Sequence, residues 1–168
     1  TWHADFSTKP TVCSGGGSFS AIALALLPSS EKDAGLAGSG KVSYQISGPC
    51  STEFWSSADG ALDFDVHDAV LPRLTLIENE GPLAIRRLSG QARLRNGKIE
   101  LKDSELDSPS GKFKVSGTAS LTQELDLKLS RVPVSTAGGF SITGTFAEPR
   151  VAPLPGTEQA RLKADAAK

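Results

Sequence analysis

The sequence has no methionine and few histidines and cysteines, two of each. It also lacks an excess of charge, because 18 lysines and arginines face 19 aspartates and glutamates, for a net charge of −1. The basic residues are scattered rather than massed, which gives no electrostatic basis for binding nucleic acid. Neither histidine stands beside a nucleophile motif, so acid–base catalysis would rest on dispersed carboxylates. The residues therefore predict a protein that is not an enzyme, uses no cofactor and binds no nucleic acid.

Long apolar runs are also missing. The longest covers residues 21–27 and stops at Pro28, whereas a membrane-spanning helix needs about 20 apolar residues. Because the chain starts at Thr1 without a methionine, we expect it to be part of a longer polypeptide, so missing targeting signals do not indicate a location. Its 168 residues suffice for one domain, which would bury roughly 70% of its unfolded surface.

The two cysteines are too few for a disulfide scaffold. A bond between Cys13 and Cys50 would close a long loop and stabilise the fold by roughly 3–4 kcal/mol, mainly through the unfolded state. Such a bond would suit an oxidising compartment. Two reduced thiols are the alternative, and the sequence does not choose, because bonding requires the Cα atoms to lie within about 7 Å.

What the sequence does contain is alternation. Apolar and polar residues alternate with little interruption between residues 88 and 146, with turn residues where the chain reverses. Successive side chains of a strand point to opposite faces, so this pattern predicts strands with one apolar and one polar face. The predicted strands there cover residues 88–95, 98–102, 113–121, 125–129 and 140–146; upstream, residues 2–6, 19–27, 41–48 and 61–67 show the same pattern, and 71–77 could continue the last of these.

The predicted fold is mainly β: a curved, twisted antiparallel sheet of about eight to ten strands. At most one or two short helices are expected, and residues 51–58 could form either a helical turn or a strand. The apolar face must be covered by a second sheet, a helix, a partner or a lipid. The sheet would therefore form either a β-groove or a partly closed barrel or sandwich. We predict a single β domain over residues 1–155 and a tail over 156–168, either disordered or a frayed helix.

Asn96 and Gly97 give the strongest local prediction. A two-residue type I′ hairpin turn needs positive φ at both central positions, which these residues tolerate. The turn sets the register, and the register keeps the apolar pairs together on one face. The predicted cross-strand pairs are Arg95 with Lys98, Leu94 with Ile99, Arg93 with Glu100, and Ala92 with Leu101.

Two motifs resemble functional sites. Residues 35–42 nearly spell a phosphate-binding loop, but Val42 replaces the Mg²⁺-binding hydroxyl, residues 28–40 read as a polar loop, and no helix follows. Asp63, Asp65 and His67 share one strand face and could bind a metal. We interpret them instead as the solvated face of a strand, because no further ligand is evident, and we predict no metal site.

The aromatic residues are few, at 6% of the chain. Trp2, Phe54, Trp55 and Phe64 could form a ligand platform. We predict instead that they anchor the core, because large aromatic side chains dominate core energetics.

Several segments resemble the C-terminal region of AsmA-family proteins. They are Gly-Pro-Leu at 81–83, Leu-Ser-Gly at 88–90, Leu-Arg-Asn-Gly-Lys-Ile at 94–99, residues 106–121, Leu-Asp-Leu at 125–127, and residues 140–151. Residues 38–48 and 58–66 are similar to the repeated strands of that family. The resemblance spans roughly residues 15 to 155 and is a pattern of strands and turns rather than a catalytic signature.

The resemblance implies a role in the cell envelope. AsmA-family members are large proteins anchored in the inner membrane with a periplasmic body. They are linked to outer-membrane biogenesis and phospholipid traffic, and they resemble bridge-like lipid transfer proteins, in which a long curved sheet offers an apolar groove. By this resemblance the chain is a non-catalytic periplasmic domain that handles or transfers phospholipid or another acyl-chain lipid, with envelope proteins as possible partners. The anchor and most of the family's length are not in this sequence.

The apolar face of the predicted sheet supplies the lipid-facing candidates, which are Leu94, Ile99, Leu101, Phe113, Val115, Leu127 and Ile142. Burying an acyl chain contributes about 0.8 kcal/mol per CH₂ and needs no polar motif. The alternative is a structural or interaction domain whose apolar face is a closed, dry core and whose protein partners pair with an edge strand.

Overall fold

A computed structural model of the chain describes residues 1–20, 37–78, 80–133 and 138–154, and its strands form one antiparallel sheet of ten. The strands are β1 (Trp2–Asp5), β2 (Val12–Ser20), β3 (Ala37–Pro49), β4 (Asp59–Leu71), β5 (Leu83–Arg95), β6 (Lys98–Ser108), β7 (Gly111–Ser120), β8 (Glu124–Arg131), β9 (Gly139–Thr145) and β10 (Pro149–Pro153). A helical turn, α1 (Phe54–Ser57), lies between β3 and β4.

Each strand pairs with the strands before and after it in the chain, and the sheet is not closed. The predicted fold class, an antiparallel sheet with at most one or two short helices, is confirmed. β10 is an edge strand, and its two prolines lie at its ends. The N–H groups that these prolines lack therefore do not interrupt a central hydrogen-bond ladder. The predicted tail, 156–168, and most of the predicted strand at 19–27 lie outside the described residues.

The hairpin between β5 and β6 has the predicted geometry. Asn96 has φ 49° and Gly97 has φ 70°, as a type I′ turn requires. All four predicted cross-strand pairs occur, from Arg95 with Lys98 to Ala92 with Leu101. The register prediction is therefore confirmed.

One extra residue in β6 shifts its register against both neighbouring strands. The shift falls between Leu101 and Ser104 on the β7 side and opposite Gly90 on the β5 side, and Asp103 within it has φ 46°. Such a bulge moves the inward positions from odd to even residues, so Ser104 and Leu106 continue the face begun by Leu101. Simple alternation does not predict this change. A second shift lies between β3 and β4, where Asp68 has φ 52°.

Gly117 of β7 lies beside the β6 bulge, and a Cβ there would collide with the Asp126 carbonyl of β8. We expect Gly117→Ala to lower the free energy of unfolding by about 1–3 kcal/mol more than Gly81→Ala, because overpacking adds to backbone strain. Gly81 also has positive φ, but a Cβ added there would meet no atom within 4 Å. Urea denaturation of both variants measures the difference, and equal losses would contradict the packing argument.

The core lies on the apolar face of β4 to β9. Its larger cluster consists of buried residues that are all apolar: Ala69, Leu74, Leu76, Leu83, Ile85, Leu106, Phe113, Val115, Leu125, Leu129, Phe140 and Ile142. Leu74 and Leu76 come from the connection after β4 and cover this part of the face. β4 therefore ends at Leu71, and the predicted continuation of the strand over residues 71–77 is a turn instead. Arg73 Nη1 donates a hydrogen bond of 3.2 Å to the Ala147 oxygen. This bond joins the connection after β4 to the β9–β10 turn, which requires the sheet to curl.

A smaller cluster lies at one end of β3 to β6. Ile46, Ala58 and Leu94 are buried there, and Phe54 of α1 packs against them. Residues 37–40, predicted as loop, belong to β3. The prediction missed them because Gly38 and Gly40 carry no side chain that would reveal the alternation.

The N-terminal edge of the sheet carries a disulfide. Cys13 of β2 is bonded to Cys50, which follows β3, and their Cα atoms are 5.0 Å apart. The Cys50 N–H also donates to the Thr11 carbonyl at 2.9 Å. The covalent link therefore joins the start of β2 to the segment that leads into α1.

Candidate functional site

The seven predicted lipid-facing residues share the apolar face but lie in two clusters. Leu94 and Ile99 belong to the smaller cluster, and the others belong to the larger one or pack against it. Four are buried, namely Leu94, Phe113, Val115 and Ile142, whereas Ile99, Leu101 and Leu127 are half-buried. The buried four contact protein side chains, so only the half-buried three are available to a ligand in this conformation.

A more accessible part of the same face lies on β2 to β4. We call it the open strip and define it as Phe19, Val42, Tyr44, Leu62 and Phe64. Cross-strand pairing sets Phe19 beside Val42, Val42 beside Phe64, and Tyr44 beside Leu62. Phe19 is 53% exposed and the other four are half-buried. Sequence alternation places Leu62, Phe64, Val42 and Tyr44 on inward faces, but it does not show that they remain accessible.

Aromatic rings lie flat on the glycine backbone at the edge of this strip. Phe19 and Tyr44 stack with ring centroids 5.7 Å apart and planes 10° from parallel. A Cβ on Gly17 would lie 3.3 Å from the Tyr44 ring, and a Cβ on Gly15 would overlap the Trp2 ring. The glycines of β2 therefore let the rings approach the backbone closely, which leaves a smooth apolar surface.

The predicted core role of the two tryptophans is wrong. Trp2 is 53% exposed and Trp55 is 54% exposed, while Phe54 and Phe64 are half-buried. Trp2 lies on edge strand β1 and Trp55 on α1, where no further strand covers them. Phe54 joins the two, with centroid distances of 5.7 Å to Trp2 and 5.2 Å to Trp55.

The polar face carries the residues considered for metal binding. Asp65 accepts two hydrogen bonds from Arg87, each of 2.9 Å, and its Oδ1 lies 3.0 Å from His67 Nε2. Asp63 accepts from Gln91 at 3.0 Å. Across the described part of the chain, no group of three or more His, Cys, Asp or Glu side chains is placed to hold a metal ion. The Asp65 carboxylate serves as the centre of a cross-strand ion pair.

The Arg87 hydrogen bonds hold the pKa of Asp65 below its ordinary value, with smaller contributions from the charges of Arg87 and His67. Because the pKa of Asp65 is lower in the folded state, the Asp65–Arg87 pair stabilises the fold fully at pH values above the unfolded carboxyl pKa, near 3.8. This stabilisation is lost as the pH falls through the lower folded-state pKa. We expect Asp65→Asn to reduce the loss of stability between pH 5 and pH 2. Urea denaturation at both pH values tests this expectation. Arg87→Gln should reduce the loss of stability in the same way, and a loss equal to that of the wild type in either variant would contradict the expectation.

One remaining sequence motif and one cleft of the structure carry no site. Residues 37–42 of the phosphate-loop-like motif lie within β3, so no helix N-terminus follows them. A cleft of about 210 Å³ lies between Leu76, Leu83, Glu80 and Ser110. Ligand pockets usually occupy about 300–1,000 Å³, so this cleft is small for a lipid.

In comparisons with known proteins, no family model, curated protein or solved structure matches this chain. Within the described residues, no helix has the length and apolarity that crossing a bilayer requires. The candidate site is therefore the open strip, together with three half-buried residues farther along the same face: Ile99 and Leu101 on β6 and Leu127 on β8.

Proposed function

We propose that this chain is a non-catalytic, lipid-handling domain of AsmA type that binds acyl chains on the apolar face of its sheet. The observation that carries the proposal is the open strip, an apolar surface that the described residues leave accessible beside a filled core. Its five side chains offer no charge, so the strip would recognise the apolar chains of a phospholipid or another acyl-chain lipid.

The hydrophobic effect supplies the driving force for this binding. Each CH₂ removed from water contributes about 0.8 kcal/mol, and a shallow strip recovers part of that value for each methylene in contact. The binding would be strong for long chains and weakly selective among them. Such behaviour suits a protein that passes lipids along a surface.

The disulfide supports a location outside the reducing cytosol. Cys13–Cys50 is a type of bond that persists in oxidising compartments such as the periplasm. Together with the AsmA-like segments, it supports a periplasmic domain within a protein anchored in the inner membrane. Envelope proteins are the expected protein partners.

The direct test is lipid extraction. The protein, purified without detergent, should carry phospholipid or fatty acid detectable by native mass spectrometry and by thin-layer chromatography of an organic extract. Delipidated protein should bind the fluorescent probe N-phenyl-1-naphthylamine and release it when a long-chain fatty acid is added. Absence of both co-purified lipid and probe binding would refute the proposal.

A pair of matched variants locates the binding. Phe19→Asp places a charge on the open strip, and we expect it to weaken probe binding at least tenfold, because the charge stays hydrated and excludes the apolar probe. Val70→Asp introduces the same charge at a residue that is 38% exposed at the far end of β4, where its side chain faces away from the apolar face, and it should leave binding unchanged. Equal losses in both variants would place the probe elsewhere.

An interaction domain with a dry core is the second candidate, and the larger buried cluster favours it. Its twelve residues are each at most 8% exposed, so this half of the apolar face is already filled. Partners would then pair with a free sheet edge, and β1 is an edge strand without a proline. In that case purified protein would contain no lipid and Phe19→Asp would have no effect on partner binding.

A further inference from the structure

The apolar face of the sheet carries one charged side chain, that of Arg131 at the end of β8. Directly paired residues of neighbouring strands share a face, and Arg131 pairs with the buried Phe113 of β7. In the described strands, every other residue that cross-strand pairing places on this face is uncharged. Arg131 is therefore a single cation in apolar surroundings.

The Arg131 guanidinium is held against β7 without a partner of opposite charge. Its central carbon lies 5.3 Å from the Phe113 ring centroid, and a Cβ on Gly111 would lie 3.3 Å from Nη1. Among the described residues, no carboxylate lies within 4.0 Å of this guanidinium and no side chain or carbonyl accepts a hydrogen bond from it. Because Arg131 is half-buried, solvent reaches the group only in part.

Arginines on the polar face differ in this respect. Arg87 Nε lies 2.9 Å from Asp65, and Arg95 Nε lies 3.6 Å from Asp59. The Phe113 ring gives Arg131 a cation–π contact, but it offers no oxygen acceptor to the five N–H donors of a guanidinium. An ion pair gains strength where water is partly excluded. Arg131 therefore retains the capacity to bind an oxyanion.

We propose that Arg131 binds the oxyanion of an acyl-chain amphiphile, either a carboxylate or a phosphate, whose chain lies on the apolar face. The planar fork of a guanidinium matches both oxyanions with paired N–H bonds. An apolar surface with one unpaired cation is complementary to a ligand with an apolar chain and one anionic end. The inference rests on the proposed function and adds the chemistry of the headgroup, which the uncharged open strip does not select.

A row of cross-strand partners leads from Arg131 toward the open strip. In order across the sheet, the row consists of Arg131, Phe113, Leu106, Leu88 and Val66. Val66 and Leu88 are half-buried, and Val66 lies two residues from Phe64 of the strip. The guanidinium lies over β7, three strands from β4, which is about 15 Å along the sheet. A long acyl chain is comparable in length, so one molecule can contact both Arg131 and the strip.

The test compares two ligands that have the same chain. Oleate and oleyl alcohol differ only in the headgroup, and each is titrated at pH 8, below micelle-forming concentrations, against protein loaded with N-phenyl-1-naphthylamine. We expect oleate to release the probe from the wild type at an about tenfold lower concentration than oleyl alcohol, because a charge-assisted bidentate contact forms only with oleate. Arg131→Gln should bring the two ligands within twofold of each other, with oleyl alcohol unchanged.

Arg93→Gln is the matched control. It removes the same charge from an exposed arginine on the polar face of β5, and it should release the probe like the wild type with both ligands. An equal loss of oleate binding in this variant would indicate general attraction between charges and overturn the assignment to Arg131. Arg131→Lys keeps the charge without the planar fork, so it should retain part of the preference for oleate.

Protection from chemical modification keeps the test independent of the variants. Phenylglyoxal reacts with arginine guanidinium groups, and mass spectrometry of peptides reports which positions are modified. In the wild type, oleate should slow the modification of Arg131 at least fivefold and leave that of Arg93 unchanged. Oleyl alcohol and 10 mM inorganic phosphate should each slow it less than twofold, which separates an amphiphile from a free anion.

Three further results would overturn the inference while probe binding persists. The first is release of the probe from the wild type by oleate and oleyl alcohol at equal concentrations. The second is a preference for oleate that survives in Arg131→Gln. The third is protection of Arg131 by inorganic phosphate equal to that by oleate, which would assign the residue to a free anion. A wild type that binds neither the probe nor lipid would refute the proposed function together with this inference.

Discussion

Phe113→Ala is expected to lower the free energy of unfolding by about 3–5 kcal/mol, since truncation of a buried aromatic side chain leaves a cavity in addition to the lost burial. Phe113 is 1% exposed. Its ring centroid lies 5.9 Å from that of Phe140, and the Arg131 guanidinium carbon lies 5.3 Å from the Phe113 ring centroid. Urea denaturation followed by circular dichroism measures the change.

Phe146→Ala is the matched control for this prediction. It makes the same substitution at a side chain that is 53% exposed, and it should change the free energy of unfolding by less than about 0.5 kcal/mol. A small effect of Phe113→Ala, comparable with that of the control, would mean that the larger cluster is not a packed core. The apolar face would then have no filled part with which the accessible open strip contrasts.

Removal of the disulfide is the second large effect expected. The double variant C13S/C50S should lower the free energy of unfolding by about 4 kcal/mol, because a bond that spans 37 residues restricts the unfolded chain strongly. Chemical denaturation of the oxidised and substituted proteins gives the difference. Hydrogen exchange should rise more in β1 and β2 than in β8 and β9, because the bond holds the N-terminal edge.

Treatment of the wild-type protein with a phosphine reductant provides the control. The reduced protein should have the same midpoint as C13S/C50S, because both lack the same constraint. A difference larger than about 1 kcal/mol would show that the serines themselves disturb the site rather than the loss of the bond. No change on either treatment would mean that the pair contributes nothing to stability under these conditions.

Much of the sheet could be predicted from the sequence because strand alternation and turn chemistry are local. The Asn96-Gly97 turn requires only its own two φ angles, and once it forms, the pairing of Leu94 with Ile99 follows. The predicted strand at 125–129 lies within β8, and that at 140–146 covers all but the first residue of β9. Each of these predictions depends on residues within about one hairpin.

The bulges could not be predicted in the same way. The extra residue near Asp103 matters only because β5 and β7 pair with β6 on both sides and must keep their apolar residues on one face. Gly90 and Gly117 could have indicated it, since Ser104 of β6 approaches Gly90 closely and Gly117 lies beside the bulge. Glycine in a strand has several explanations, however.

The candidate site was likewise predictable only in its local features. Alternation places Leu94, Phe113, Val115 and Ile142 on an apolar face, as the structure has them. It could not distinguish a residue covered by protein from one accessible to a ligand. That distinction depends on how far the sheet curls and on where Leu74 and Leu76 lie after β4.

The sequence by itself determined the positions of most strands, the one-sided distribution of apolar residues and the register of the central hairpin, because these depend on side-chain alternation and backbone angles over a few residues. The tertiary structure alone decided which apolar residues are buried and that Cys13 meets Cys50. Those features depend on contacts between residues far apart in the chain, which no local pattern encodes.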